Sequence, residues 1–405
     1  MNDVTIPYKE RCSLSEDYML RKDILRQYNI KQLKGDTDHR YYAVIDGKKT
    51  KKFTRKRDLE DYLIEHHKQR FDNLCTLRDI YPKYIESRRI GKSCGTFKKD
   101  IKIYKTYIEN SSVADIPIKE LTYDDGIVWY KECQNIYHAK HHENMKKKYF
   151  DNIKGTINTM FTYAKVKRII FENPFAALEI HQDNFTPAFR KSDEITIYTD
   201  EEKDAVKKMA YQLASETQEG KYLAPIIFFN LGIRDGELLA LKWSNMIDES
   251  HIHIQNEFVE NCDDDGKSIG MKFVQHTKTM KGDRVLKLNS EVIKVLNTIK
   301  KYNLKNGYGI AEDDFIFMRK YRNEICPLTP RTIYTLIEKI CRRVGMSEIK
   351  SAHDMRRTCF TNLFYAGMPI KDIQAFAGHE DVRMTEAYIK KKPSKDENKY
   401  LEAII

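Results

Sequence analysis

The sequence predicts a multidomain, mainly α-helical protein. It should have a small β-hairpin-plus-helix unit at the N-terminus, an all-α domain after it, and a mixed, mainly α C-terminal domain with a small antiparallel β-sheet. Three observations carry that expectation. The chain has 405 residues, more than one core of ordinary size organises. Apolar residues at helical spacing run through most of it, while β-prone stretches gather near 41–55 and 251–288. A stretch without clear period, 181–198, separates two strongly periodic regions. The expected boundaries are therefore 1–70, 73–180, a linker at 181–198, and 199–405.

In the first unit, YYAVIDGKKTKKFTR combines β-prone residues with an Asp46-Gly47 turn signal and predicts a hairpin whose second short strand lies around Phe53. A helix follows, with Leu59, Tyr62, Leu63 and His66 on one face. Seven of the ten residues from Lys48 to Arg57 are basic, among them Lys48, Lys49, Lys51, Lys52 and Arg55. A charge run is most often a solvated face. Along a two-stranded ribbon it is also suited to a DNA groove, with lysines on phosphates.

The next region reads as helices throughout. A first helix spans TLRDIYPKYIESRR, and a second begins after a glycine break at GTFKKDIKIYK. A third is capped near Thr122 with acids in its first turn. A long fourth helix carries Phe150, Ile153, Ile157, Met160, Phe161 and Ala164 at the 3.6-residue period, with Lys146, Lys147 and Lys148 at its start as further candidate DNA contacts. Pro174 forces Asn173 out of the α region and ends it. The last domain opens at Thr199, an N-cap with Glu202 three residues on in a capping-box pattern. Its β region reads as HIHIQNEFVE and MKFVQHTKT, then a Lys281-Gly282-Asp283 turn and RVLKL.

Composition narrows the function classes. No window approaches the ~18 consecutive apolar residues of a membrane span, and the first residues lack the order of a signal peptide. Eight scattered cysteines, without a CxxC pair or zinc-type spacing, point to free thiols in a reduced cytoplasm and to no structural metal. The formal net charge of +11 favours polyanionic partners through phosphate neutralisation and counterion release. A lysine-rich proteome would produce the same excess.

The polar residues of the last domain are more specific together than singly. Arg234 follows Gly232 between two apolar helices, where an unpaired cation would be costly, and Glu237 is its candidate partner. Lys278 sits at a strand end beside the turn and alone reads as a solvated lysine. His353 and Arg356 are three apart on one helical face; singly they are a capping histidine and a surface arginine. Gly378 closes another helix at His379, and Tyr388 follows nine residues later. Two arginines can clamp the non-bridging oxygens of a phosphodiester and stabilise its pentacoordinate transition state. A lysine can protonate the leaving alkoxide and a histidine can relay protons. A phenol in that positive field can attack. One phosphoester is exchanged for another, so no ATP, metal or other cofactor is expected.

In order and spacing, Arg234 in LGIRDGELLAL, Lys278 in TKT, His353 and Arg356 in HDMRRT, and His379 and Tyr388 in GHEDVRMTEAY resemble the tyrosine recombinase (phage-integrase) family. The resemblance extends over nearly the whole chain and implies an arm-site DNA-binding-like unit (1–70), a helical core-binding (SAM-like) domain (73–180) and a catalytic domain with a C-terminal tail (199–405). It further implies Tyr388 as the nucleophile that forms a 3′-phosphotyrosine, Arg234 and Arg356 as clamps, and Lys278 as general acid. His353 would transfer protons, His379 would support the phosphate, and Glu237 would brace Arg234. Lys281 competes with Lys278 for the acid role, and Asp235 stands where many relatives carry a less charged residue. By the same resemblance the partners are double-stranded DNA at attachment or transposon-end sites, a tetramer on DNA through the tail, an excision factor and a DNA-bending protein. The implied activity is site-specific recombination for a mobile element, through a Holliday junction. Two rivals stay open: a type IB topoisomerase-like or telomere-resolving enzyme, and a catalytically silent DNA-binding protein on the same scaffold.

Overall fold

The computed structural model describes residues 21–22, 25–33, 40–45, 47–186, 197–275 and 280–389, and of these the side chains of all but 67–73 and 280. The chain divides into two compact units, residues 1–188 and 189–405. The architecture is mainly helical with small antiparallel sheets.

After helical residues at 21–22 and 25–26, the first unit has two short antiparallel ladders. Lys31–Gln32 pairs with Tyr41–Tyr42, and Val44–Ile45 pairs with Lys48–Lys49. Ile45 lies opposite Lys48, so the connection is the expected two-residue one; Gly47 there has φ +76°, and Asp46 lies outside the described residues. The second strand is thus Lys48–Lys49, earlier than expected. Phe53 makes only a single bridge, to Tyr41, and tilts its ring onto Tyr62, with centroids 5.3 Å apart. A two-residue turn fixes the register, and the chain beyond it bends to pack the half-buried Phe53 against the small core. Ala43, Leu59 and Leu63 form the small core beneath, the leucines coming from helix Lys56–Leu74.

The helical part has its own core. Helices Leu77–Gly91 and Tyr123–His141 start with capping boxes, Thr76 with Asp79 and Thr122 with Asp125. The break before helix Cys94–Tyr107 falls at Lys92–Ser93, and Gly95 lies within its first turn. Helix Lys147–Val166 buries all six apolar residues of its periodic face. Trp129 fills the centre among Phe150 and Phe175 and donates its indole N–H to the Tyr107 carbonyl at 2.7 Å. The one buried carboxylate among the described residues of this unit, Asp100, accepts from Arg88 at 2.7 Å and from the Thr156 hydroxyl at 3.2 Å, so the cost of burying it is offset. The stretch read as linker is packed at both ends. Phe185 belongs to this core, while Ile197 and Tyr198 are buried in the second unit.

In the second unit, helix Asp200–Thr217 carries the Thr199/Glu202 capping box. Helix Ala224–Leu231 is buried almost all round, as its sequence APIIFFNL requires. The β region pairs differently from its order in sequence. His251–Ile254 lies between Met246–Asp248 and Arg284–Lys287 in a three-stranded sheet. Glu257–Cys262 and Ser268–Val274 form a hairpin of their own, inserted between two of those strands. A further hairpin, Met318–Tyr321 with Glu324–Pro327, leads to helix Pro330–Val344. Helices Ala352–Tyr365, Ile370–Ala377 and Val382–Tyr388 complete the unit. No helix among the described residues is long and apolar enough to cross a membrane.

Candidate active site

The site is built where the buried helix Ala224–Leu231 stops. Gly232 ends it with φ +54°, and a Cβ there would lie 2.6 Å from the Phe360 ring. Both the left-handed backbone and the close approach call for glycine. Two residues later Arg234 takes the N-cap position of the short helix Asp235–Leu239. Glu237 accepts from the Arg234 backbone N–H at 2.9 Å and from its Nη1 at 2.6 Å. That carboxylate has no exposed surface. Burial alone would raise its pKa, but the Arg284 guanidinium, then Arg234 and Arg356, hold it down to about 2.

Arg356 rises into the same place from helix Ala352–Tyr365 and is 1% exposed. It donates to the Gly232 carbonyl, to the Ala377 carbonyl at 2.8 Å and to His379 Nε2 at 3.0 Å. Its Nε has no partner among the described residues. Burial, then the Arg234 cation, lower its pKa to about 10, which leaves it charged near neutral pH. His353, one turn earlier, is exposed; desolvation and the neighbouring Arg357 push its imidazole below the ordinary value. Arg357 itself pairs with Asp354 at 3.2 Å.

Gly378 and His379 pack behind Arg356. His379 is 1% exposed, accepts from Arg356 at Nε2, and so carries its proton on Nδ1, 3.0 Å from the Thr385 hydroxyl. Burial and the arginines lower its pKa to about 3, consistent with a neutral ring. Thr385 lies three residues before Tyr388 on helix Val382–Tyr388, so this bond fixes the helix that carries the tyrosine. The Tyr388 ring stands with its centroid 4.9 Å from both His353 and His379, and 5.7 Å from the Arg356 guanidinium carbon. A cleft of about 390 Å³ opens beside it, lined by Arg234, Asp235, His353, Arg356 and Tyr388 over an apolar floor that includes Ile233 and Ile333.

The fold therefore gathers Arg234, Glu237, His353, Arg356, His379 and Tyr388, residues spread over 155 positions of sequence. Lys278 lies outside the described residues, as does the tail from residue 390. Lys281 is described: its ammonium donates to the Glu380 carbonyl at 3.2 Å, next to His379. Lys48, Lys49, Lys51, Lys52, Arg55, Lys146, Lys147 and Lys148 are all exposed, and Lys51 lies over the rings of Phe53 and Tyr62.

Two residues that sequence reasoning passed over belong to this network. Arg284, 8% exposed, forks onto Glu237. Its signal was parity: it shares the inward face of its strand with Leu286, and an arginine on an apolar face requires a partner. Thr385 had only the one-turn spacing to Tyr388 to mark it.

Residues 197–395 match the model of the phage integrase family. Over 321 residues the chain is 25% identical to a XerC-like tyrosine recombinase of Caldanaerobacter subterraneus subsp. tengcongensis, covering 76% of this chain and 78% of that protein. A tyrosine recombinase of Agathobacter rectalis is 24% identical, with 78% and 92% covered. Among solved structures, the Tn1549 transposon integrase in complex with transposon right end DNA shares the fold at a TM-score of 0.61 and 19% identity, covering 81% of this chain and 99% of that one. A lambda integrase tetramer bound to a Holliday junction gives 0.50 at 17% identity, with 88% and 94% covered.

Proposed function

Residues 197–395 make this chain a member of the phage integrase family, a tyrosine recombinase, and from that premise we propose that it integrates and excises a mobile element by site-specific strand exchange. The observation that carries the proposal is the convergence of Arg234, Arg356, His353 and Tyr388 on one cleft, with His379 bonded to Arg356 behind it.

In this reading the Tyr388 phenolic oxygen attacks the scissile phosphorus, forming the O–P bond of a 3′-phosphotyrosine as the bond to the 5′ oxygen breaks. Arg234 and Arg356 hold the non-bridging oxygens, with the unpartnered Nε of Arg356 as one ready donor. His353, whose ring meets that of Tyr388 edge-on with centroids 4.9 Å apart, moves the phenolic proton. The proton for the leaving 5′ oxygen comes from Lys278, with Lys281 as the competing donor. His379 acts through Arg356 rather than on the phosphate directly, because its Nε2 is occupied by that guanidinium and its Nδ1 proton by Thr385. The reverse attack, by a 5′ hydroxyl from a second duplex, rejoins the strands and restores the phenol. The phosphoester count is unchanged, so no nucleotide hydrolysis is needed.

Double-stranded DNA ends of the element are the substrate, read in part by the basic residues 48–55 and 146–148 through phosphate contacts. Residues 1–70 serve as an arm-site unit, 73–180 as the core-binding domain and 199–405 as the catalytic domain with its tail. Assembly is a tetramer on DNA in the cytoplasm, helped by an excision factor and a bending protein. The test is strand exchange between two labelled duplexes carrying the element's joined ends and a target. Recombinant product of new length is expected. Relaxation of supercoiled plasmid without exchange would favour the topoisomerase-like reading instead.

A further inference from the structure

Arg234, Arg284 and Arg356 surround Glu237 at this site, yet the arginines differ in where their donors go. Arg356 keeps its Nε free of any partner among the described residues. Arg284 does the opposite. Its Nε donates to the Phe376 carbonyl at 2.8 Å, its Nη1 to the Gly282 carbonyl at 2.8 Å and to Glu237 Oε1 at 3.3 Å, and its Nη2 to Glu237 Oε2 at 2.9 Å. Of the five N–H groups that a guanidinium has, only one on Nη2 lacks an acceptor among the described residues. With its donors committed to protein oxygens, Arg284 has little left for a phosphate.

What those oxygens belong to is informative. Glu237 is the carboxylate that holds Arg234. Gly282 lies in the turn that contains Lys281. Phe376 lies two residues before Gly378, at the end of the helix that delivers His379. The turn and the helix end are pressed together there: a Cβ on Gly378 would lie 2.8 Å from the Lys281 carbonyl and 3.1 Å from Arg284 Nη1. A single buried side chain thus joins three segments, around positions 237, 282 and 376, each of which carries or adjoins a residue of the site.

We propose that Arg284 is a positioning residue for strand cleavage, orienting the Glu237 carboxylate that sets Arg234 and pinning the lysine-bearing turn against the His379 turn. The inference rests on the reading of this cleft as a strand-transfer site. Without Arg284, Glu237 is held by Arg234 alone, and the two can pivot together away from the phosphate position. Misplacement of a clamp by about 1 Å costs up to roughly 100-fold in rate. Arg284 acts on the geometry of the clamp and touches no reacting atom.

The test compares Arg284→Met and Arg284→Lys with wild type in single-turnover cleavage of a nicked suicide duplex carrying the element's end sequence. Two versions of the duplex are used: an ordinary scissile phosphodiester, and a methylphosphonate in which one non-bridging oxygen is replaced by methyl. The neutral methylphosphonate has less need of an oriented arginine. Arg284→Met is expected to slow phosphodiester cleavage by about 10- to 100-fold, to lose much of that deficit on the methylphosphonate, and to leave DNA affinity unchanged. Arg284→Lys keeps the cation but not the fork, and is expected to show the same substrate pattern with a smaller deficit; it carries the comparison if the methionine variant does not fold. Equal deficits on both substrates, or normal phosphodiester cleavage, would overturn the proposal in favour of a purely structural arginine. Absence of adduct with wild type on both duplexes would remove the strand-transfer reading and this inference with it, a failure seen in the wild-type lanes and not in the variants.

Discussion

Replacing Glu237 by glutamine removes one negative charge from the centre of three arginines while nearly keeping the shape. The carboxylate is fully buried and bonds both Arg234 and Arg284. Breaking a buried pair by removing one partner typically costs about 3–5 kcal/mol. The depressed pKa of the carboxylate gives a figure of the same size. A pKa held at about 2, against an ordinary 4.5, corresponds to ~3 kcal/mol of stabilisation at neutral pH. Because the folded-state value is depressed, that stabilisation is complete above pH 4.5 and is lost as the pH falls through 2. In chemical denaturation of the intact protein, the variant is expected to be less stable by ~3 kcal/mol at pH 7, and the gap should shrink to about half or less by pH 3. Circular dichroism of wild type and variant across that range measures both. A variant as stable as wild type at pH 7, or a gap that persists unchanged at pH 3, would refute the claim that Glu237 is an ionised brace.

Other substitutions probe the remaining parts of the site. Arg356→Ala should lower cleavage by on the order of 100-fold or more, the cost of losing an oxyanion-type donor; single-turnover adduct formation at saturating DNA reads it. Gly232→Ala should destabilise the second unit by about 2–4 kcal/mol, since the left-handed backbone and the approach to Phe360 each penalise a Cβ, and denaturant midpoints report it. Lys278→Ala should be rescued by a 5′-bridging phosphorothiolate, whose sulfur leaves without a proton. Rescue of Lys281→Ala instead would transfer the acid role to Lys281.

The sequence made some of this site legible and hid the rest for physical reasons. Periodicity exposed the buried face of helix Lys147–Val166, because one amphipathic helix writes its own packing into local spacing. The capping boxes at Thr122 and Thr199 were local in the same sense. Arg234 with Glu237 was readable as a three-residue pair across a turn. The pairing of His251–Ile254 with Arg284–Lys287 was not, because an intervening hairpin separates the partners and register between distant strands leaves no local mark. The early end of the N-terminal ladder was missed because the aromatic Phe53 has strand propensity but packs, half-buried, against Tyr62 instead. His379 was found from its place after Gly378, yet its bond to Arg356 spans 23 residues and follows only from the packed helices. Arg284 joins positions even farther apart.

The most direct test of the central claim is covalent capture. A nicked suicide duplex with the element's end sequence, incubated with the protein in EDTA and run on a denaturing gel, should give a protein–DNA adduct. The Tyr388→Phe variant should bind the same duplex and give none. Adduct formed equally by Tyr388→Phe, or no adduct from wild type that demonstrably binds the duplex, would contradict the assignment of Tyr388 as the nucleophile.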